Sequence, residues 1–423
     1  MATDTHGPAH AAPLTVLAVA DSDSYVKLSA AMLDALPEQH TVGLAVVRSP
    51  IAPSPAQTRA AVGATNQSGR RIPVLTASEL RRLIRRRRPD VVILNCTGPV
   101  VNVLAHILLN GRGRRRGRRP VLVSALPGIS VPATEKAWFH RSQVDLFVLH
   151  SHREVAEFTA LGEKLGVTGE VGLATLPFLP RPRRRPARPH RVVFAAQAKV
   201  PGSREDRERV LVALAELAED RPDLEVVVKL RGREDEAQTH REHHHYEALW
   251  RDLVEKERTR DHTLVFRTGA MVDQLERTRG FVTVSSTAAL EAIAMGVPVA
   301  VLTDFGVGAE QINTVFEASG VFGTLDDVRS VRFRAPHPEW LERNYFHPAS
   351  DNDWVDRLTA LVARASRGEL RAHPPLLDAS AQRRARRRSL LRLSVPPRAV
   401  RGIGSARRSL RALRRTAPAS PVG

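Results

Sequence analysis

Short, mainly apolar runs recur along this chain, and a stretch with helical periodicity follows nearly every one. The first set lies at 14–20, 42–47, 91–94, 121–125, 146–149 and 167–173. Runs rich in Val, Leu and Ile, with no in-and-out alternation, are the pattern of strands covered on both faces, as in a parallel sheet layered by helices. Helical patterns fall between them at 25–36, 77–87, 100–109 and 153–165. Alternation of this kind predicts an open, doubly wound sheet.

The alternation stops at Pro180-Arg181-Pro182-Arg183-Arg184-Arg185-Pro186-Ala187-Arg188-Pro189, which can continue neither a strand nor a helix. It then restarts, with strands at 191–195, 224–230, 263–267, 280–284 and 298–302 and helices at 204–219, 246–257, 271–277 and 287–295. The expected fold class is α/β, with two Rossmann-like doubly wound domains at 1–179 and 191–375 facing across a cleft. A linker at 180–190 joins them, and a basic tail at 376–423 follows, expected to be disordered or to lie on a membrane surface. At 423 residues the chain is long enough for two such cores.

Charge is distributed unevenly. The chain carries 64 Lys and Arg against 45 Asp and Glu, a net charge of +19. No acidic residue follows Asp378, whereas thirteen arginines do, so the body retains only +6. Two runs, 81–88 and 112–119, hold most of that remainder. The basicity is therefore an appendage, and it points to an anionic partner. Leu390, Leu391, Leu393 and Leu410 interleave with the tail arginines, a composition suited to an anionic membrane surface through 383–415 or to solvated chain. The tail has no aromatic residue for stacking on bases, so nucleic acid is the weaker expectation.

A single cysteine, Cys96, excludes an internal disulfide and a Cys-based zinc site, and reads as a small buried apolar group. Residues 1–13 lack the cationic start and apolar core of a signal peptide, and no apolar run approaches the roughly 20 residues a membrane span needs. A cytoplasmic location is expected, peripheral to the inner face of the plasma membrane if the tail binds lipid. His240, His243, His244 and His245 lack the spacing of a metal site, so no metal is expected there.

The densest motif is Val284-Ser285-Ser286-Thr287-Ala288-Ala289-Leu290-Glu291-Ala292, followed by Gly296 and Pro298. A buried strand ends in three hydroxyl residues and a helix starts at once, so free N–H groups and hydroxyls converge on a site for phosphate. Glu291, one turn on, can take a ribose or sugar hydroxyl; otherwise Ser286 is a cap and Glu291 a solvated acid. Lys229 and Arg231 at one strand's carboxyl end, and Thr268 at the next, face the crevice where such sheets bind ligands.

These residues carry a resemblance. Ser-x-Thr-x-x-x-Glu-Ala-x-x-x-Gly-x-Pro resembles the donor-binding segment of two-domain (GT-B) glycosyltransferases, nearest to bacterial polysaccharide, polysialic acid and glycerophosphate polymer transferases and the related sugar epimerases. The stretch Val226-Val227-Val228-Lys229-Leu230-Arg231 resembles the same proteins' Lys-Leu-His-Pro element, with Arg231-Gly232 in place of His-Pro. Asp21-Ser22-Asp23-Ser24-Tyr25, directly after the first strand, is similar to the start of a family of functionally unassigned bacterial glycosyltransferase-like proteins.

The resemblance implies transfer of a sugar from a nucleotide-sugar donor to a cell-envelope polysaccharide or lipid-linked acceptor, with no resident cofactor and no metal. Ser285, Ser286, Thr287, Lys229, Arg231 and Thr268 would bind the donor with Glu291. Asp21 or Asp23 would take the acceptor proton, with capping as the structural alternative for Asp23, and His150 is a further acid–base candidate. Ser22, Ser24, Thr97, Gly98 and Gly128 would line the acceptor side. An epimerase on the same fold, and a non-catalytic scaffold tethered by its tail, are the other readings.

Overall fold

The computed structural model describes residues 12–110, 119–177, 179–180, 188–232 and 242–394. Seven strands form the first sheet: β1 (Thr15–Ala20), β2 (Thr41–Val47), β3 (Val74–Leu75), β4 (Val91–Asn95), β5 (Val121–Ala125), β6 (Leu146–Leu149) and β7 (Glu170–Leu173). Their order is β3-β2-β1-β4-β5-β6-β7 and their pairings are parallel. Around them pack α1 (Asp23–Asp34), α2 (Pro55–Val62), α3 (Ala77–Arg87), α4 (Gly98–Leu109), α5 (Glu135–Arg141) and α6 (His152–Lys164).

The second lobe repeats the plan. Its strands are β8 (Arg191–Ala195), β9 (Glu225–Lys229), β10 (Val265–Arg267), β11 (Thr278–Thr283), β12 (Val299–Leu302) and β13 (Phe322–Gly323), in the order β10-β9-β8-β11-β12-β13. Its helices are α7 (Arg204–Asp220), α8 (Tyr246–Glu255), α9 (Met271–Leu275), α10 (Ala288–Ala294), α11 (Leu325–Arg329) and α12 (Pro338–Arg343). Every residue of β4, β5, β6, β8 and β12 is buried, which is why those strands read as apolar runs apart from Asn95, Ser124 and Arg191. In each sheet the winding reverses beside the first strand, between β1 and β4 and between β8 and β11. The loops part at these points and leave a crevice at the strands' carboxyl ends.

The chain then returns to the first lobe. Helix α13 (Trp354–Ser366), expected inside the 191–375 domain, buries Trp354, Leu358, Leu361 and Val362 in the core of the first sheet. Just before it, Asn352 Oδ1 accepts from Thr175 N and Asp353 Oδ1 from Leu173 N, both at 2.7 Å. The second lobe thus ends ahead of Asn352, because the apolar face of α13 is complementary to the first sheet. Beyond it, the buried pair Arg119–Asp145, 2.6 Å apart, pins His373 at 3.0 Å and the Arg371 carbonyl.

The start of the expected tail is also ordered. Helix α14 (Ser380–Ser394) packs on α3 and α4, inserts Leu393 into the first lobe's core and points Arg386 Nη1 at His106 Nδ1, 2.9 Å away. The expectation of a disordered tail from 376 is therefore corrected for 380–394; positions 395–423 lie outside the described residues. So do 181–187 of the expected linker, Arg112 to Arg118, and His240. Among the described residues no helix is long and apolar enough to cross a membrane.

Candidate functional site

A cavity of about 370 Å³ opens at the carboxyl ends of β8, β9 and β11. Lys229, Arg231, Ser285, Ser286 and Thr287 line it together with the 195–200 loop, Met271 and Ile312. Five of the expected donor-site residues therefore converge although they come from two separate segments. Thr268 does not line it; it sits half-buried past β10.

Gln197 organises the donor loop. Its Oε1 accepts from Ser285 N at 2.8 Å and its Nε2 donates to Ser285 Oγ at 2.9 Å, which ties the end of β8 to the end of β11. Ser286 N donates to Thr283 Oγ1 and Ala288 N to Ser286 Oγ, each at 3.2 Å. The expected array of free N–H groups is thus largely satisfied within the loop, and α10 has only seven residues. What the loop offers a ligand is hydroxyl chemistry. Ser285 Oγ and Ser286 Oγ each accept a protein hydrogen bond, leaving each O–H to donate to an anionic oxygen.

Cations complete the cavity. Lys229 is only 7% exposed and donates to the Leu230 carbonyl at 2.5 Å. Burial lowers its pKa, while the nearby Glu291 carboxylate opposes that shift. Burial in turn raises Glu291, against the pull of Lys27 from the first lobe and of Lys229. Glu291 is therefore within the electrostatic influence of a lysine from each lobe. Arg231 is exposed at the cavity mouth.

Arg207 supports the cavity wall. It is buried on the apolar face of α7 and donates to the Gln197 and Ala198 carbonyls at 3.0 Å and to that of Pro201 at 2.9 Å. Its charge is met by Glu242, and its guanidinium lies 4.9 Å from the Tyr246 ring centroid. Neither Gln197 nor Arg207 was expected in the site. The available signals were a polar residue closing the run Arg191-Val192-Val193-Phe194-Ala195-Ala196-Gln197, and an arginine in register with Val210, Leu211 and Leu214.

Across the crevice the first lobe repeats the device. Asp21, just past β1, accepts from Thr97 N at 3.0 and 3.1 Å and from Thr97 Oγ1, tying β1 to β4. Asp21 is fully buried, and burial raises its pKa despite Thr97 and the charge of Arg141. The expectation that Asp21 takes a proton from the acceptor is corrected to one of positioning, because no face of its carboxylate is open. Ser22 is the buried N-cap of α1, whereas Asp23 and Ser24 are exposed on its first turn.

The remaining candidates divide similarly. His150 is fully buried, with Nδ1 3.0 Å from the Ala174 carbonyl and Nε2 2.9 Å from that of Leu126. Burial pushes its pKa down to about 4 against the pull of the two carbonyls, and with no exposed edge the ring bridges the two loops instead of facing the cleft. Gly98 is a packing glycine, since a Cβ there would lie 2.4 Å from His140. Gly128 does reach the cleft: its φ is +152°, and a Cβ would lie 3.2 Å from Thr287 Cγ2 of the donor loop.

Solved structures share this architecture at low identity. A putative UDP-N-acetylglucosamine 2-epimerase from Listeria monocytogenes is 13% identical with a TM-score of 0.53, covering 87% of this chain and 100% of that one. The S. aureus MnaA–UDP co-structure is 12% identical with a TM-score of 0.51, covering 86% of this chain and 100% of that one. At such identities the likeness is one of fold: two doubly wound lobes about a cleft. Among curated proteins nothing matches. A family model described as "Putative glycosyltransferase (DUF6716)" matches residues 16–361, so the chain belongs to that glycosyltransferase family.

Proposed function

We propose that the protein transfers a sugar from a nucleotide-sugar donor, bound in the second-lobe cavity, to a hydroxyl of a cell-envelope polysaccharide or glycolipid. The observation that carries this is the convergence of Lys229, Arg231 and the three hydroxyls of Ser285, Ser286 and Thr287 on one cavity at the sheet's switch point. Such a set matches a diphosphate, and a leaving diphosphate gains negative charge as the sugar departs. In this reading Lys229 and Arg231 take that charge without a divalent ion. Glu291, within the influence of two lysines, accepts from a ribose or sugar hydroxyl. Asp23, exposed at the start of α1, takes the acceptor proton, and Asp21 behind it fixes the loop.

An anionic lipid surface fits the outer face of the first lobe. Helix α14 lies on α3, and the two expose Arg82, Arg86, Arg384, Arg387, Arg388 and Arg392, with Leu391 63% exposed among them. Cations flanking an exposed leucine suit a headgroup layer, where a lipid-linked acceptor is presented.

The test is calorimetric titration of the full chain with UDP, CDP, GDP, TDP and CMP at two salt concentrations. One nucleotide should bind in a salt-resistant manner, and Lys229→Ala should weaken it roughly tenfold or more, as loss of a charge-assisted contact does. No binding by any of the five rejects the donor reading. The structural neighbour named as a putative UDP-N-acetylglucosamine 2-epimerase sets the second arm. A donor whose sugar epimerises with no acceptor present replaces transfer with epimerisation.

A further inference from the structure

The first-lobe loop 126–131 crosses the cleft, and its anchorage is the least explained part of the site. It faces Gly128 toward Thr287, where an added Cβ would lie 3.2 Å from the Thr287 methyl, and buries Val131 in the second lobe's core with Leu176 and Ala288. One carboxylate holds it. Glu154, fully buried in the first turn of α6, accepts from Ser130 N at 2.7 Å and from Tyr345 Oη at 2.5 Å, both on Oε1. Its Oε2 accepts from His150 N at 2.9 Å, and the His150 ring meets the Leu126 carbonyl at the loop's other end. Tyr345, also fully buried, follows α12 in the second lobe.

We propose that the Glu154–Tyr345 hydrogen bond is a latch between the lobes, through which the second lobe sets the position of loop 126–131 against the donor cavity. A single oxygen serves donors from opposite lobes, so a shift of Tyr345 moves the anchor of Ser130, two residues from the glycine that faces Thr287. Packing alone does not require the hydroxyl. A phenylalanine ring would fill the same buried space, and only the O–H reaches the carboxylate. Glu154 and Tyr345 are positioning residues, and their link to ligand rests on the donor-cavity reading above.

The decisive variant is Tyr345→Phe in the full chain. Hydrogen–deuterium exchange of the 126–131 amides should rise roughly tenfold in the folded variant, as expected when a local opening loses an anchoring bond. Affinity for the nucleotide selected above, UDP being the first probe, should fall roughly threefold to tenfold. Glu154→Gln, which keeps an oxygen for Ser130 and Tyr345, should lie between wild type and Tyr345→Phe in both readouts. Tyr246→Phe is the control: this second-lobe hydroxyl is buried without a hydrogen-bond partner among the described residues, so exchange at 126–131 should not change. Unchanged exchange in folded Tyr345→Phe, or an equal rise in Tyr246→Phe, overturns the latch. Faster exchange with unchanged affinity overturns its link to the cavity. If no nucleotide binds wild type, the donor reading fails while the exchange arm still decides the latch.

Discussion

Gln197 and Asp21 do the same job in the two lobes, each joining the first strand's end to the central strand's end by accepting a backbone N–H. Replacing Gln197 with Ala leaves Ser285 N buried without its acceptor, at a cost of about 1–3 kcal/mol. Urea unfolding should show that loss together with weaker nucleotide binding; intact affinity would mean Ser285 is held by other contacts. Glu154 allows a prediction against pH. Burial pushes its carboxyl up to about 7 despite donors from Tyr345, His150 and Ser130, with Glu157 adding to the rise. Its folded pKa exceeds the unfolded value, so it contributes stability below about 4.5 that is lost as pH rises through about 7. His150, pushed down to about 4, acts in the opposite sense, so wild type alone would show a muted slope. The melting temperature of Glu154→Gln relative to wild type should therefore climb between pH 5 and 7.5, and a flat difference would show that Glu154 is ionised throughout. Lys229, Arg231 and Ser285–Thr287 were legible because each pair or triplet sits in one short motif. Gln197 and Glu154 were not, because their partners lie 88 and 191 residues away. Asp21 and His150 misled for the complementary reason: a polar residue at a strand's carboxyl end looks catalytic until burial and its partners in neighbouring loops are known.

Among the elements, the strands buried on both faces were the easiest to read, since they are filled almost wholly by apolar residues. The two-residue edge strands β3 and β13 left no such run, being too short and partly exposed. Helix α2 was missed although its start carries a full signature, Ser54 and Gln57 in a capping box with Pro55 at the first position. Helix α14 was hidden by its composition, because the arginines that made the segment look solvated also form helix readily. Its docking rests on few contacts, chiefly Leu393 in the core and Arg386 between Asp378 and His106. Leu393→Ala should cost about 2–3 kcal/mol if the helix stays in place, and less if it simply detaches. Proteolysis near 377–380 separates those outcomes. The exposed arginines of the same helix predict binding to vesicles containing phosphatidylglycerol but not to pure phosphatidylcholine. Reversing Arg384, Arg387 and Arg388 to Glu should abolish sedimentation with the vesicles while leaving nucleotide affinity intact. Retained sedimentation would remove α14 from the membrane reading.

Taken as a whole, the described residues form two lobes, the chain passing from the first to the second after β7 and returning at Asn352 to pack α13 and α14 on the first. The doubled plan was readable because the alternation stops at the proline-rich stretch and restarts. The return was not, since the apolar stripe of α13 is compatible with either lobe and only shape complementarity selects between them. That return ties the segment leaving the second lobe to β7, while Gly128 faces Thr287 across the cleft. The approach can be tested by a mutant cycle. Gly128→Ala introduces a side chain where φ is +152° and places its Cβ about 3.2 Å from Thr287 Cγ2, so it carries both backbone strain and an inter-lobe clash. Thr287→Ser alone removes the methyl and keeps the hydroxyl, and should change nucleotide affinity little. In the double variant the clash is gone and only the strain remains. Gly128→Ala should therefore weaken binding by roughly 1–2 kcal/mol, and Thr287→Ser should restore at least half of that, a coupling well above the few tenths found for independent sites. Strict additivity would mean that the strain acts alone and that the lobes do not bear on each other through these two residues.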